Sequence, residues 1–286
     1  TWVAMTVIAV STWIVLVNLN ERPTDVAGIL FYTISIGALL YCLLIGLSAT
    51  TDSLSEEKRE GTLGLLFLTD LKGFDIVAGK LAASSLNCIY GLLAIIPVMG
   101  LPLLMGGITA VQYWTAALAL VNAMFFSLAV GIFASACCHS RRKSVLLAFL
   151  IIMLLAVVAP GFAMWQAQAR SGLPFESPAF LVSPITAFFA PLDLGGLWAK
   201  SWKTFATAFA TVHFESWIFL LLACLVAPRS WQDRPAGKLE VRWRERWRLW
   251  SLGDHGERHR FRARLLDVNA FGWLAARERL KPLMVW

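Results

Sequence analysis

The feature that most constrains this chain is a series of long apolar segments, almost all of them free of charged side chains. A bilayer core of about 30 Å requires roughly 20 apolar residues per helix. The predicted spans lie at about residues 1–18, 27–49, 82–106, 109–138, 144–165 and 205–227. Hydrophobic residues make up 58% of the chain and charged residues 15%, which departs from the composition of soluble domains. The sequence therefore predicts an all-α polytopic membrane protein with six transmembrane helices.

The basic residues between the spans indicate orientation, because cytoplasmic loops carry an excess of Lys and Arg. The tail after residue 228 holds 14 of the 25 Lys and Arg residues. The second and fourth loops carry most of the others, namely Lys58, Arg59, Lys72, Lys80, Arg141, Arg142 and Lys143. We expect these two loops and the tail to be cytoplasmic. The outer loop at 166–204 is apolar but interrupted by prolines, which predicts short helices rather than one continuous helix.

The second loop contains a segment, residues 53–71 (SLSEEKREGTLGLLFLTDL), that is first charged and then apolar. Ser53 and Glu56 have the spacing of a capping box, and the charged residues that follow predict a solvated helix. After Gly61 and Thr62, the sequence predicts a compact apolar patch made of Leu63, Leu65, Leu66, Phe67 and Leu68. Asp75 is expected to cap the next helix. The segment is either an interfacial helix that anchors the loop or a coupling helix that contacts a soluble cytoplasmic partner.

The stretch EEKREGTLGLLFLTDLKGFDIVAGK resembles the signature of ABC-2-type exporter permeases. In that family an acidic and basic cluster precedes Gly-Thr-Leu, a leucine-rich turn and a later Gly-Lys. The matching positions here are Glu57–Glu60, Gly61, Thr62, Leu63, Leu65, Leu66, Gly79 and Lys80. The sequence departs from the family at Thr69–Asp70–Leu71, where many members have Thr-Pro-Leu. The layout of six spans, with this segment between the second and third, adds to the resemblance.

The resemblance implies a function for this segment as the coupling helix that contacts an ATP-binding subunit. The implied contact residues are Glu57, Lys58, Arg59, Glu60, Gly61, Thr62, Leu63, Leu65, Leu66, Phe67 and Leu68. The resemblance further implies that ATP and Mg are bound in the partner ATP-binding subunit and not directly by this chain. It also implies that a second copy or a second permease half completes the assembly. Export across a bacterial inner membrane, which is the plasma membrane, is the expected activity, and the sequence does not indicate a substrate.

One stretch approaches the spacing of a phosphate-binding loop, from Gly73 to Gly79, Lys80 and Leu81. It has five residues between the glycines instead of four, and Leu81 stands where Ser or Thr would bind magnesium. We therefore expect no ATPase site of its own in this chain, and predict that it is not an enzyme.

Two ionisable side chains, His213 and Glu215, lie within the last predicted span, where such groups by default suggest function. Because they are two residues apart they lie on different faces of a helix. Packing, a water-filled vestibule and the lining of a transport pathway all remain open. An intramembrane enzyme that uses His213, Glu215 or His139 is an alternative, although no nucleophile and base or metal-ligand spacing supports it. A non-transporting membrane scaffold or receptor is a further alternative.

Other polar groups in the spans are interpreted as structural. Asn87 and Asn122 are expected to join helices by hydrogen bonds. The cysteines behave as small apolar residues and none has a metal-ligand spacing with histidine. They are Cys42, Cys88, Cys137, Cys138 and Cys224.

The tail, residues 228–286, places Trp243, Trp247 and Trp250 on one face of a predicted helix. Four arginines flank this face: Arg242, Arg244, Arg246 and Arg248. A basic amphipathic helix with tryptophans is typical of the lipid headgroup layer, so membrane lipid is the expected partner rather than nucleic acid. The last stretch, Asp267–Trp286, is similar to the helix that precedes the first span in the same family. We therefore expect a longer protein, with a second permease half following Trp286.

Overall fold

The structure is a computed structural model that describes residue 10 and residues 23–68, 71–170, 178–190 and 202–230. The chain divides into two units, Thr1–Gln232 and Asp233–Trp286, and all the described residues belong to the first. Apart from residue 10, the first predicted span lies outside the described residues. The predictions for the tail, including Trp243, Trp247 and Trp250, also lie outside them.

All regular structure in the described ranges is helical. The elements in chain order are α1 (Pro23–Thr50), α2 (Ser53–Glu60), α3 (Thr62–Leu68), α4 (Gly73–Met99), α5 (Leu101–Leu104), α6 (Ala110–Cys137), α7 (Arg141–Met153), a π-helical turn (Leu154–Val158), α8 (Ala159–Arg170), α9 (Pro178–Leu181), α10 (Pro184–Phe189) and α11 (Trp202–Ser230).

Five helical stretches of the described chain are long and apolar enough to cross a membrane. They are Thr24–Glu60, Gly73–Leu104, Ala110–Cys137, Arg141–Gln166 and Trp202–Arg229, and these candidate spans coincide with the second to sixth predicted spans. The first stretch has 37 residues. At 1.5 Å per residue it is roughly 55 Å long, well beyond a hydrocarbon core of about 30 Å. We therefore expect its charged end, α2, to lie outside the hydrocarbon.

Helix α6 is the centre of the bundle, with 18 of its 28 residues buried. It packs closely on α1 because small residues meet at the contact. A Cβ atom on Gly46 would lie 1.9 Å from Ser127 Oγ, and one on Gly131 would lie 2.0 Å from Thr50 Oγ1. Small residues let membrane helices approach in this way. The Ser127 hydroxyl also donates to the Cys42 carbonyl at 2.7 Å, so α1 and α6 form a tightly fitted pair.

Helix α4 begins nine residues before the predicted boundary at residue 82, at Gly73. The backbone N–H of Lys72 donates to Asp75 Oδ2 at 3.0 Å, which confirms that Asp75 caps this helix. The capping interaction lets the helix start among polar residues, ahead of the apolar run. Hydrophobicity alone predicts the apolar part of α4 and misses its polar N-terminal extension.

The described part of the outer loop contains the short helices α9 and α10, as the prolines predicted. The Ser183 hydroxyl accepts from the Ile185 N–H at 3.2 Å and donates to the Ala156 carbonyl of the π-helical turn at 3.1 Å. On the other side, Thr211 Oγ1 donates to the Leu181 carbonyl at 2.8 Å. The two short helices are therefore fixed between the fifth span and α11.

Candidate functional site

The segment between the second and third spans, which we call the coupling segment, consists of α2 and α3. Gly61 separates the two helices with φ +74°. This left-handed conformation favours glycine and commonly ends a helix. The predicted interruption at Gly61 is confirmed, and the change of direction allows α2 and α3 to present different faces to the bundle.

The N-terminus of α2 is capped by a residue of another helix. The predicted capping box of Ser53 and Glu56 is wrong, because the Ser53 hydroxyl donates to the Thr50 carbonyl at 2.8 Å. Instead, Ser135 Oγ of α6 accepts from the backbone N–H groups of Leu54 and Ser55, each at 2.9 Å. These N–H groups have no partner within their own helix, so α6 provides the hydrogen bonds that complete α2.

Lys58 is buried, which contradicts the prediction of a solvated side chain: only 8% of it is exposed. Its Nζ donates to the carbonyls of Ser135 at 3.2 Å and Cys138 at 3.5 Å, and also to the carbonyl of Ala136. These carbonyls lie at the C-terminus of α6, where a helix carries partial negative charge and unpaired acceptors. Burial lowers the pKa of Lys58 to about 8, so the ammonium form still predominates at neutral pH. We call this arrangement, with Ser135 capping α2 and Lys58 capping α6, the reciprocal cap.

Glu57 joins α2 to the start of the third span. Its Oε1 lies 2.5 Å from Lys80 Nζ of α4, and its second carboxylate oxygen accepts from the Thr62 hydroxyl. The Lys80 ammonium, followed by the Thr62 hydroxyl, holds the pKa of Glu57 below its ordinary value. Lys80, part of the Gly-Lys of the sequence signature, thus binds a carboxylate of the same chain.

Asp52 forms a second charged contact just before α2. Its Oδ1 lies 2.9 Å from Arg59 Nη1, and its Oδ2 lies 3.6 Å from Arg141 Nε at the start of α7. The hydrogen bond from Arg59 is the main reason that the pKa of Asp52 is lowered. The sequence analysis does not identify Asp52. The spacing of seven residues between Asp52 and Arg59, which places both on one face of a helix, is a signal that could have indicated this ion pair.

The apolar patch predicted on α3 is divided between two faces. Leu63 is only 1% exposed and packs in a core cluster beside Leu54, and Leu66 is partly buried against the same cluster. In contrast, Leu65 is 62% exposed and Leu68 is 79% exposed. The prediction that Leu63 contributes to an exposed patch is therefore wrong. The side chain of Phe67 lies outside the described part of the structure.

A polar cluster joins α6 to α11 within the bundle. Trp217 Nε1 donates to His213 Nε2 at 3.0 Å, so the other ring nitrogen of His213 carries the proton and donates to Asn122 Oδ1 at 3.1 Å. The Asn122 amide donates in turn to the Phe209 carbonyl at 3.0 Å. The expectation that Asn122 joins helices is confirmed, and both nitrogens of His213 are engaged by uncharged groups.

A cavity of about 670 Å³ lies between α4, α6 and α11. Its lining is mostly apolar, and it includes Asn122, His213 and Trp217. Glu215 is not among the lining residues, and its buried Oε2 has no hydrogen-bond partner among the residues that the structure describes. The two ionisable residues of the last span therefore do not act together at this cavity, and the geometry does not favour an acid and base pair.

The stretch that approaches a phosphate-binding loop is helical. Gly73, Gly79 and Lys80 all lie in the first turns of α4, so the glycines do not form a loop around a phosphate. Among the described residues, no group of three or more His, Cys, Asp or Glu side chains could hold a metal ion.

Comparison with known families decides the class of the protein. Residues 4–228, most of the 286-residue chain, match the family described as ABC-2 family transporter protein. The chain belongs to the ABC-2 transporter family. This match confirms the resemblance found in the sequence signature. Comparison with curated proteins gives no significant match.

Membership of the ABC-2 family makes this chain a multi-pass membrane component of a transporter. ABC-2 permease domains typically lack an ATPase site of their own, and the family generally works with an ATP-binding subunit. The match ends at residue 228 and the described residues end at 230, so residues 231–286 of the tail lie beyond both.

Proposed function

We propose that this chain is the membrane-spanning subunit of an ATP-driven exporter and that the coupling segment contacts the ATP-binding subunit. The observation that carries the proposal is the exposure of Leu65 and Leu68, at 62% and 79%, on a short helix that we place outside the hydrocarbon. Large apolar side chains exposed beside polar ones mark interaction sites. Here the exposed charged residues Glu56, Arg59 and Glu60 precede the two leucines in the same segment.

The inner side of the coupling segment supports this proposal because it is fixed to the bundle. Leu63 packs in the core cluster, and Lys58 and Ser135 form the reciprocal cap. An interface residue contributes most when it is held in place before binding, since less conformational freedom is then lost. The coupling segment is therefore suited both to bind a partner and to receive a force from it.

The orientation that we propose follows from the arrangement of the basic residues. The coupling segment and the start of α7 lie at the same end of the bundle, because Asp52 contacts Arg141. This end carries the basic residues of the second and fourth loops, which indicates the cytoplasm. We further propose six spans, with residues 1–18 forming the first, in a plasma membrane.

The remaining partners follow from the family. We propose that ATP and Mg are bound by the ATP-binding subunit, and that a second copy or a second permease half completes the pathway. The tail is proposed to bind lipid headgroups through Trp243, Trp247 and Trp250, with Arg242 and Arg246 beside them. Of the two residues considered for the pathway, His213 lines the cavity and is the stronger candidate.

Co-purification tests the proposed contact. The full chain is affinity-purified from membranes of cells that also produce its ATP-binding subunit, with Leu65→Asp, Leu68→Asp and Leu104→Asp as variants. We expect each coupling-segment variant to retain at least about tenfold less of the ATP-binding subunit, because anchor residues at interfaces contribute about 2 kcal/mol or more. All variants should reach the membrane fraction at the level of the unmodified chain.

Leu104→Asp is the matched control. Leu104 is 85% exposed and lies in α5, near the end of the third predicted span that is farther along the chain from the coupling segment. It should retain the ATP-binding subunit fully. Retention of that subunit by both coupling-segment variants would contradict the proposal, as would an unmodified chain with which no ATP-binding subunit co-purifies.

A further inference from the structure

We propose that Lys58 and Ser135 are positioning residues that transmit movement of the docked coupling segment directly to α6. This inference rests on the proposed function, since it concerns what happens once α3 is bound to the ATP-binding subunit. The inference specifies the path of the movement, from α2 to α6. The contacting residues of these two helices are about 80 residues apart in the sequence.

The reciprocal cap connects the two helices strongly. The N-terminal N–H groups of α2 and the C-terminal carbonyls of α6 each find hydrogen-bond partners on the other helix. Ser135 Oγ accepts from two N–H groups of α2, and Lys58 Nζ donates to three carbonyls at the end of α6. Most of these groups are buried, and buried donors or acceptors that lose their partners are costly. A movement that separated α2 from α6 would break all of these hydrogen bonds at once, so the two helices move together.

The other polar contacts of the coupling segment are weaker links. The Glu57–Lys80 pair to α4 is partly exposed, with 21% and 33% of the two side chains accessible. The contact between Asp52 and Arg141 of α7 is longer, at 3.6 Å, and Arg141 is 68% exposed. Exposed ion pairs contribute little and are screened by salt. Among the described contacts, the reciprocal cap is therefore the strongest polar connection from α2 to another span.

The movement continues from α6 to α11 through Asn122. This residue donates to the Phe209 carbonyl and accepts from His213, which places two hydrogen bonds between the helices. The cavity lies between α6, α11 and α4. If α6 and α11 move as a pair, the distance across the cavity from α6 to α4 changes when the coupling segment moves.

Spin-label distances across the cavity test this inference in the complex with the ATP-binding subunit. Labels are placed at Leu118 of α6 and Leu93 of α4, which line the cavity and are 49% and 56% exposed. The accessible cysteines Cys137, Cys138 and Cys224 are first replaced by Ser. On addition of Mg and a non-hydrolysable ATP analogue, we expect the distance to change by about 2 Å, typical of helix shifts at interfaces.

Two variants and one control decide the outcome. Lys58→Met removes the ammonium, and Ser135→Ala removes only the hydroxyl and leaves the Ser135 carbonyl that Lys58 binds. Each should still bind the ATP-binding subunit and lose at least half of the nucleotide-dependent distance change. Lys143→Met makes the same substitution at an exposed position of α7 and should behave like the unmodified chain. A purely structural role would lower thermal stability and leave the distance change intact.

The possible results separate the inference from the proposed function. If the unmodified complex shows no distance change with nucleotide, the inference is contradicted, whereas the proposed function is decided by whether the ATP-binding subunit co-purifies. If it responds and Ser135→Ala responds equally, the inference is wrong and the proposed function stands. Should Lys58→Met fail to insert, Ser135→Ala alone decides. A loss of response in Lys143→Met would also overturn the inference, because it would show a general effect of charge.

Discussion

In each helix of the coupling segment, the burial of some side chains is the reverse of what the composition of the helix suggests. Helix α2 has five charged residues among its eight, yet Lys58 is only 8% exposed. Helix α3 is almost entirely apolar, yet Leu65 is 62% exposed and Leu68 is 79% exposed. The charged helix is thus held against the protein, and the apolar helix presents part of its surface outward.

The difference arises because burial depends on partners and not on hydrophobicity alone. A charged group can be buried when hydrogen bonds replace its hydration, and the end of α6 offers Lys58 three carbonyls. The leucine side chains of α3 need no hydrogen-bond partners. The exposed leucines therefore remain available for contact with another protein. Helix α2 attaches the segment to α6, and α3 exposes the two leucines that the proposed function assigns to the contact with the ATP-binding subunit.

Leu63→Ala should have the largest effect on stability, because it removes a buried side chain by which α3 is anchored to the core cluster. Leu63 is 1% exposed, and removing a buried leucine side chain costs about 2–5 kcal/mol. Thermal unfolding of the detergent-solubilised protein should show a clear decrease in Tm.

Leu65→Ala is the matched control on the same helix. Exposed substitutions usually change stability by less than about 0.5 kcal/mol, so its Tm should be close to that of the unmodified protein. Equal decreases for the two variants would show that α3 does not have one buried face and one exposed face.

Ser135→Ala should have an intermediate effect, because it leaves two N–H groups of α2 without their acceptor. Loss of a capping hydroxyl costs about 1–2 kcal/mol. Ser140→Ala is the control: Ser140 occupies the N-cap position of α7 but its side chain makes no capping hydrogen bond. In the same thermal unfolding assay, a Tm decrease for Ser140→Ala as large as that for Ser135→Ala would contradict a specific cap on α2.

The sequence predicted those features that depend on neighbouring residues. Gly61 interrupts the helix and Asp75 caps α4, because each acts within a few positions of itself. The predictions for Ser53 and Lys58 failed because their outcome depends on Ser135 and Ala136, far away in the sequence. Hydrophobic spacing predicts which segments cross the membrane, and it contains no information about which helix end will meet a given side chain.

The division of the α3 patch was closer to being predictable. A helix turns about 100° per residue, so Leu63 and Leu65 lie on different faces. Treating the five apolar residues as one surface ignored this geometry. Which of the two faces is buried still depends on the core cluster around Leu54. The local sequence does not determine where that cluster lies.

Glu57→Gln should have the smallest effect, because it tests the partly exposed link from α2 to α4. The hydrogen bond from Lys80 lowers the pKa of Glu57 from its ordinary value of 4.5. The pair therefore contributes stability that is fully present above pH 4.5 and is lost as the pH falls through the lowered pKa. Because the pair is partly exposed, the contribution is expected to be less than about 1 kcal/mol and to decrease with salt.

The measurement compares the Tm of the unmodified protein and Glu57→Gln from pH 7 to pH 3.5. Their difference should be constant in the upper part of this range and begin to decrease below pH 4.5, as the pH approaches the lowered pKa. Glu60→Gln is the control, since Glu60 is exposed and forms no ion pair in the described structure. If Glu57→Gln lowered Tm by more than Ser135→Ala, the exposed pair rather than the reciprocal cap would be the main attachment of α2. The coupling segment would then act first on α4.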